Sequence, residues 1–131
     1  MDQHIVFVVY DSIENSVFYG QVLSPLIKKK RANPSLEITL ITFEKNNPND
    51  ALIQLIQDYH IRLIIHRRMP FFGTAFLYTL MHKLRSTLYT KIKQKPYTLI
   101  ARGPHAAWIC MKAALGHTLC KNIIVQARGL L

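Results

Sequence analysis

Apolar residues along this chain form two kinds of run: short continuous stretches, and longer stretches with helical spacing. The continuous stretches are rich in β-branched residues, as in HIVFVVY, and such runs are typical of strands buried on both faces. Between them, apolar positions recur three or four residues apart, which predicts helices. The five predicted strands cover residues 4–10, 36–43, 61–66, 97–101 and 122–127.

Helix boundaries follow from local signals between these strands. The first helix begins either near Val17 or at Ser24, and a basic run followed by Asn33-Pro34 ends it. Asn49 is the expected cap of the second helix. The predicted second and third helices cover residues 49–59 and 75–93, and the fourth is bounded by Pro104 and Gly116.

This alternation predicts an α/β fold, a Rossmann-like three-layer sandwich with a mostly parallel sheet and right-handed crossovers. Residues 1–131 are expected to form a single domain, because half of them are hydrophobic and no linker or repeat interrupts the pattern. We predict the strand order 3-2-1-4-5. In that order, the crevice for a ligand lies at the carboxyl ends of strands one and four.

The tripeptide Ala-Arg-Gly ends both strand four and strand five. Glycine at this place permits a positive φ, and Pro104 starts a helix whose free N–H groups favour an anion. We therefore predict a binding site that includes Arg102, Gly103 and His105, with Arg128 one strand further out. The alternative is that each glycine only forms a tight turn and that each arginine is only solvated.

Charge is distributed unevenly along the chain. Lys and Arg number 17 against 7 Asp and Glu, a net charge of +10, and no acidic residue follows Asp58. Such a surface attracts phosphate groups of lipids, nucleotides or nucleic acids. A carboxylate used in acid–base chemistry has to come from the first 58 residues or from another chain. Asp11 is the acid predicted at the crevice, where it either contacts a ligand or caps its own loop.

Several common sites are missing from the sequence. There is no GxGxxG after strand one, no P-loop and no serine elbow, and the histidines lack metal-ligand spacing, so neither a cofactor nor a metal is expected. Cys110 and Cys120 form no CxxC pair and are expected to be buried thiols. No apolar run approaches the roughly 20 residues that span a bilayer, and no signal peptide is evident, so we expect a cytoplasmic protein.

Four segments carry a resemblance to a known family. These segments are VVYDSIENSVFYGQVLSPLIKKK, ITLITFEK, LIARGPHAAWICMKA and IIVQARGLL. They resemble the amino-terminal domain of glycosyltransferase family 4, which has the GT-B fold. In such enzymes this domain holds mainly the acceptor, and a second domain holds the sugar nucleotide. The resemblance implies an acceptor-binding half of a sugar transferase, in which Gly20 and Gln21 bring the backbone close to the reacting groups. It assigns no catalytic residue.

The donor-binding carboxyl-terminal domain has no counterpart in the sequence, so we expect the isolated chain to be inactive. The chain is then a fragment, a truncated gene product or one subunit of a split transferase. The resemblance implies a nucleotide sugar, a glycan or glycolipid acceptor and possible pairing with a donor-domain chain. The alternative function is a non-enzymatic basic module that binds nucleic acid or an acidic partner, although the sequence has no helix-turn-helix, zinc or basic-aromatic strand motif.

A membrane contact is predicted ahead of the third helix. Two cations and two aromatic side chains lie close together in the sequence here, at Arg67, Arg68, Phe71 and Phe72. This combination suits insertion at the inner, anionic surface of a membrane. The apolar stripe that continues along the helix, at every fourth residue, is interpreted as part of the core rather than as a second contact.

Overall fold

The computed structural model describes residues 4–10, 13, 18–67, 74–92 and 95–126. Strands and helices alternate along these residues, as the sequence predicts. The strands are β1 (His4–Val9), β2 (Glu37–Glu44), β3 (Arg62–Arg67), β4 (Tyr97–Arg102) and β5 (Cys120–Gln126). The helices are α1 (Ser24–Ala32), α2 (Asp50–Asp58), α3 (Thr74–Lys91) and α4 (Pro104–Ala113), and a π-helical turn at Tyr19–Leu23 precedes α1.

The five strands form one parallel sheet in the order β3-β2-β1-β4-β5, which confirms the predicted fold class and strand order. β1 lies at the centre, with β2 on one side and β4 on the other. Val9 at the end of β1 is the register partner of both Thr42 and Arg102. The strand order therefore reverses next to β1, between β1 and β4.

A hydrophobic core covers each face of the sheet. On one face, Val8 and Phe43 pack with buried residues of α3 and α4. On the other face, Val9 and Leu40 pack with residues of α1, with Ile56 of α2 and with the turn before α1. Because successive side chains of a strand point to opposite faces, strands with continuous apolar runs supply both cores.

The helix starts follow the predicted signals only in part. The Asn49 side chain accepts a hydrogen bond from the N–H of Ala51 at 2.7 Å, so the predicted cap of α2 is confirmed. At α1, Leu23 already has helical dihedral angles and makes no side-chain cap. The helical backbone therefore begins before Ser24, and the π-helical turn carries it into α1.

The apolar stripe of α3 lies in the core. Leu80, Leu84 and Leu88 are fully buried against the sheet and α4, which confirms the core interpretation for the part of the stripe that the structure describes. The edge strand β5, which lies beside β4, is largely exposed. Its residues Ile124 and Val125 leave about half of their surface in solvent, at 48% and 52%.

Of the two cysteines, only Cys110 is fully buried. Cys120 is half-buried, so the expectation of two buried thiols holds for one of them. Burial raises the pKa of the Cys110 thiol far above its usual range. This thiol therefore stays protonated and behaves as a small apolar core residue.

Candidate functional site

Two aromatic rings meet across the point where the strand order reverses. Tyr10 follows the last residue of β1, and His105 lies in the first turn of α4, beyond the end of β4. Their rings stack with centroids 4.8 Å apart and planes inclined by 20°. The predicted crevice between β1 and β4 is thus bordered by a ring from each side, and His105 is exposed there while Tyr10 is half-buried.

The stacked pair continues as a row of rings along the same edge of the sheet. Tyr10 lies 6.5 Å from the ring of Phe43, and Phe43 stacks on His66 at 5.6 Å. We call the four rings of His105, Tyr10, Phe43 and His66 the aromatic row; they come from α4, from the residue after β1, from β2 and from β3. Sequence reasoning singled out only His105 among them. The available signal was that Tyr10, Phe43 and His66 each lie within the last two residues of a strand or just after it.

His66 is held by a hydrogen-bond chain to α3. Its Nε2 lies 2.8 Å from the Thr87 hydroxyl, which itself donates to the carbonyl of Lys83 at 3.1 Å. Because a hydroxyl has one proton, this arrangement favours His66 with its proton on Nε2 and with Nδ1 as an acceptor. Burial lowers the pKa of His66, and Lys83 and Lys91 lower it further. The neutral imidazole is therefore favoured at neutral pH.

Gly103 sets the geometry between β4 and α4. It has φ 87° and ψ 167°, in the region that favours glycine, so the predicted positive φ is confirmed here. Its N–H donates to the carbonyl of Gln126 at 3.0 Å, and its carbonyl accepts from Ala107 at 2.9 Å. The chain can therefore turn from strand to helix within one residue and direct the N-terminus of α4 toward the crevice.

Arg102 is the last residue of β4 and is half-buried beside this turn. The first turn of α4 provides backbone N–H groups without partners inside the helix, and the helix macrodipole adds positive potential. The Arg102 residue and the helix N-terminus both lie at the carboxyl end of β4, and a cation and free N–H groups there suit an anionic or strongly polar ligand.

A buried carboxylate that the sequence analysis missed lies at the same edge. Glu44 ends β2 and is only 2% exposed, and its Oε2 accepts a hydrogen bond from the N–H of Ile13 at 3.0 Å. Its register partner Arg67 donates instead to the carbonyl of Lys45 at 2.8 Å and to Oδ1 of Asn47 at 3.0 Å. Glu44 thus adds an acid at the carboxyl edge, and its position at the end of an apolar strand was the signal that could have found it.

Thr42 brings a second polar group to that side of the sheet. It is fully buried, and its hydroxyl has no hydrogen-bond partner among the described residues. Thr42 and Glu44 are two residues apart in β2, so their side chains point to the same face, opposite to Phe43. The carboxyl edge therefore has rings on one face and polar groups on the other.

Gly20 is exposed in the turn that leads into α1. A Cβ added there would meet no atom within 4 Å, so the space above this backbone is open. Gln21 belongs to the same turn. The predicted contacts Asp11 and Arg128 lie outside the described residues, and so do Arg68, Phe71 and Phe72. Arg67 is described, exposed, at the end of β3.

Over the described residues, no group of three or more His, Cys, Asp or Glu side chains is placed to hold a metal ion. The helices described here include none that is long and apolar enough to cross a membrane. No protein-family model, curated protein or solved structure matches the chain. The resemblance to glycosyltransferase family 4 therefore remains a prediction from the segments that carry it.

Proposed function

We propose that the chain is the acceptor-binding half of a GT-B sugar transferase, with the acceptor at the carboxyl edge between β1 and β4. The observation that carries this proposal is the stack of Tyr10 on His105 across the reversal of strand order. Ligands of open α/β sheets bind at this point, and small-molecule sites combine aromatic walls with a few polar groups.

The chemistry at this edge suits a sugar. The apolar face of a sugar ring packs on aromatic rings, and the exposed His105 ring, which is supported from behind by Tyr10, supplies such a surface. The sugar hydroxyl groups need donors and acceptors nearby. His66 supplies an acceptor on the same face as the rings, Glu44 supplies one on the opposite face, and Arg102 and the α4 N-terminus supply donors. Positive potential from that terminus also favours the charge that develops as a sugar nucleotide releases its phosphate.

On this proposal the chain binds an acceptor but needs a donor-binding domain for transfer. Bringing both substrates together is a large part of lowering the barrier to such a reaction. The partners in the complete enzyme are then a nucleotide sugar and a glycan or glycolipid acceptor, and the donor domain is supplied by further sequence or by another chain.

We also propose that the protein attaches to the inner face of a membrane, where lipid-linked sugars are found. Support comes from the net charge of +10 and from Arg67, whose exposed guanidinium is bonded only to neutral oxygens in the contacts described above. Each basic residue near an anionic surface contributes about 1 kcal/mol to attachment. The adjoining segment with Phe71 and Phe72 would add apolar contact.

The competing function is a basic module that binds nucleic acid, which the same net charge favours. Its signature is binding to any duplex with a steep dependence on salt, because such binding releases counterions from the phosphates. Sugar binding by stacking on Tyr10 and His105 depends much less on salt. Salt dependence therefore separates the two functions.

Saturation-transfer NMR with a panel of methyl glycosides tests the proposal. We expect at least one glycoside to receive saturation from the protein, and this signal to disappear in the Tyr10→Ala variant and in the His105→Ala variant. Tyr78→Ala is the matched control, because Tyr78 is an exposed ring on α3 that contacts Trp108 and lies outside the aromatic row. If no glycoside binds while duplex DNA does, the nucleic-acid function replaces the proposal.

A further inference from the structure

A cavity of about 460 Å³ lies at the opposite edge of the sheet, where the strands begin. This volume is within the range of about 300–1,000 Å³ that is common for small-molecule sites. Its walls come from the first residues of three strands and from chain segments beside the ends of α1 and α3. The lining side chains that matter here are His4, Lys30, Glu37, Arg62, Lys91 and Lys95.

The charge of this lining is strongly positive. Four cationic side chains face one carboxylate, which leaves a net charge of +3. Among the described residues, Lys95 is the one lining cation with an ion pair, which it forms with Glu37 at 2.6 Å. The Lys30 ammonium donates to the carbonyl of Leu36, and Arg62 donates to the carbonyl of Lys91 at 3.4 Å. Carbonyl partners hold these groups in place without neutralising them, so the cavity has unbalanced positive charge.

Part of this charge has a structural explanation. Lys30 and Lys91 lie in the last turns of α1 and α3, where cations complement the helix macrodipole. Arg62 and Lys95 are outside any helix: Arg62 begins β3, and Lys95 precedes β4. The macrodipoles therefore account for only half of the cations that converge on the cavity.

A buried imidazole supplies an independent observation. His4 is 8% exposed and lines the cavity, and its Nε2 lies 3.0 Å from the Thr39 hydroxyl. Its Nδ1 has no hydrogen-bond partner among the described residues. Buried polar atoms are nearly always paired, and this one is closed off from solvent, so the ring of His4 lines the cavity without offering its Nδ1 to it.

The cations around His4 determine what kind of partner fits. The hydrogen bond between Nε2 and the Thr39 hydroxyl forms with either tautomer of the imidazole, so the charge around the ring decides what kind of ligand fits. Burial lowers the pKa of His4, with Lys95 and Arg62 acting in the same direction and Glu37 opposing them. A neutral imidazole adds no negative charge to the ammonium and guanidinium groups around it, so the lining suits an anion and not a cation.

We propose that this cavity binds a small anion with one or more phosphate groups. Arg62, Lys30 and Lys91 supply the compensating charge, and the Glu37 carboxylate stays with Lys95. Arginine and lysine are the side chains that most often hold phosphates, through charge-assisted hydrogen bonds. This site is at the opposite edge from the crevice and does not depend on the proposed transferase function.

NMR titration of the ¹⁵N-labelled chain with sodium pyrophosphate tests the proposal. We expect saturable binding in which the ring signals of His4 shift, since this imidazole lines the cavity and senses the charge of a bound anion. A titration with sodium sulfate at matched ionic strength measures the effect of ionic strength and of a simpler anion. Binding of pyrophosphate without any change at His4 would overturn the proposal, and so would the absence of saturable binding.

A pair of charge-matched variants separates this site from general attraction to a basic protein. Arg62→Gln with Lys91→Gln removes two exposed cations from the cavity, and we expect pyrophosphate to bind at least tenfold more weakly. Lys112→Gln with Lys121→Gln removes two exposed cations outside the cavity, and we expect less than a twofold change. Equal weakening in both variants would show nonspecific binding and contradict a specific site. The His4 signal of the unmodified chain tests the proposal even where a variant fails to fold.

Discussion

The imidazole of His66 and the hydroxyl of Thr87 are joined by a hydrogen bond of 2.8 Å that ties the end of β3 to α3. Thr87 is 4% exposed, and His66 is half-buried. A contact between a strand end and a helix at this depth holds one end of the aromatic row in a fixed position.

Thr87→Val removes the hydroxyl but keeps the shape of the side chain. We expect the free energy of unfolding to fall by about 1–3 kcal/mol, because the polar Nε2 of His66 loses its partner in a poorly solvated place. Thr90→Val is the control on the same helix: its hydroxyl bonds to the Ser86 carbonyl at the exposed surface, and we expect a change within about 0.5 kcal/mol. Urea denaturation compares the two, and equal losses would contradict a special role for the His66 contact.

Stability is expected to fall as the pH is lowered from 7.5 to 5.5. Burial lowers the pKa of His4, His66 and His117 below 6.5 in the folded chain, so the unfolded chain binds more protons in this range. The free energy of unfolding therefore rises with pH through this window, and the stabilisation is fully present above the unfolded pKa. Urea denaturation at several pH values measures it.

Repulsion within a chain of net charge +10 also grows in acid, and salt separates the two effects. High salt screens repulsion between exposed charges, whereas it hardly changes the burial of an imidazole. We therefore expect the loss of stability to persist at high salt. A stability that is independent of pH at high salt would show that the buried histidines do not contribute.

Two glycine-to-alanine substitutions should have opposite outcomes. Gly103→Ala places a side chain at φ 87°, and we expect it to cost about 1–3 kcal/mol of folding free energy. Gly20→Ala lies in a helical turn with open space above it, and we expect no loss and a gain of up to about 1 kcal/mol. Thermal unfolding monitored by circular dichroism measures both. If Gly103→Ala is as stable as the unmodified chain, the strand-to-helix turn does not require glycine.

Attachment to anionic vesicles tests the membrane proposal. We expect the chain to sediment with phosphatidylglycerol vesicles at low salt. The double substitution Phe71→Ser with Phe72→Ser should weaken this binding, because it removes the apolar contact with the membrane. The matched control is Met111→Ser with Leu115→Ser, which removes two exposed apolar side chains, 57% and 68% exposed, near the end of α4. Equal losses in both variants, or no sedimentation at low salt, would contradict the proposed contact.

The sheet could be predicted from the sequence because its strands are buried on both faces. Continuous β-branched runs mark such strands, and helices between them leave a parallel order with right-handed crossovers as the simplest arrangement. The turn at Gly103 could be predicted for the same local reason, since glycine between an apolar strand and a proline suits a left-handed residue. These signals are local, and each is contained within about ten residues.

The aromatic row and the basic cavity depend on register, which is not local. Tyr10 and His105 are far apart in sequence and meet only because β1 pairs with β4. His4 and Arg62 converge because both strands begin at one edge of the sheet. A continuous apolar strand gives little information on which residue faces which layer, so neither group could be assembled from the sequence alone.

The central position of β1 has a consequence for synthesis on the ribosome. Ile5 pairs with Thr98, which emerges 93 residues later, so β1 has one open edge while most of the chain is being made. At about 5–20 residues per second, this interval lasts roughly 5–20 s. Throughout it, an apolar strand presents unpaired backbone groups to other nascent chains. The yield of folded protein should therefore depend on chaperones that bind early in translation, more than the stability of the finished sheet would suggest.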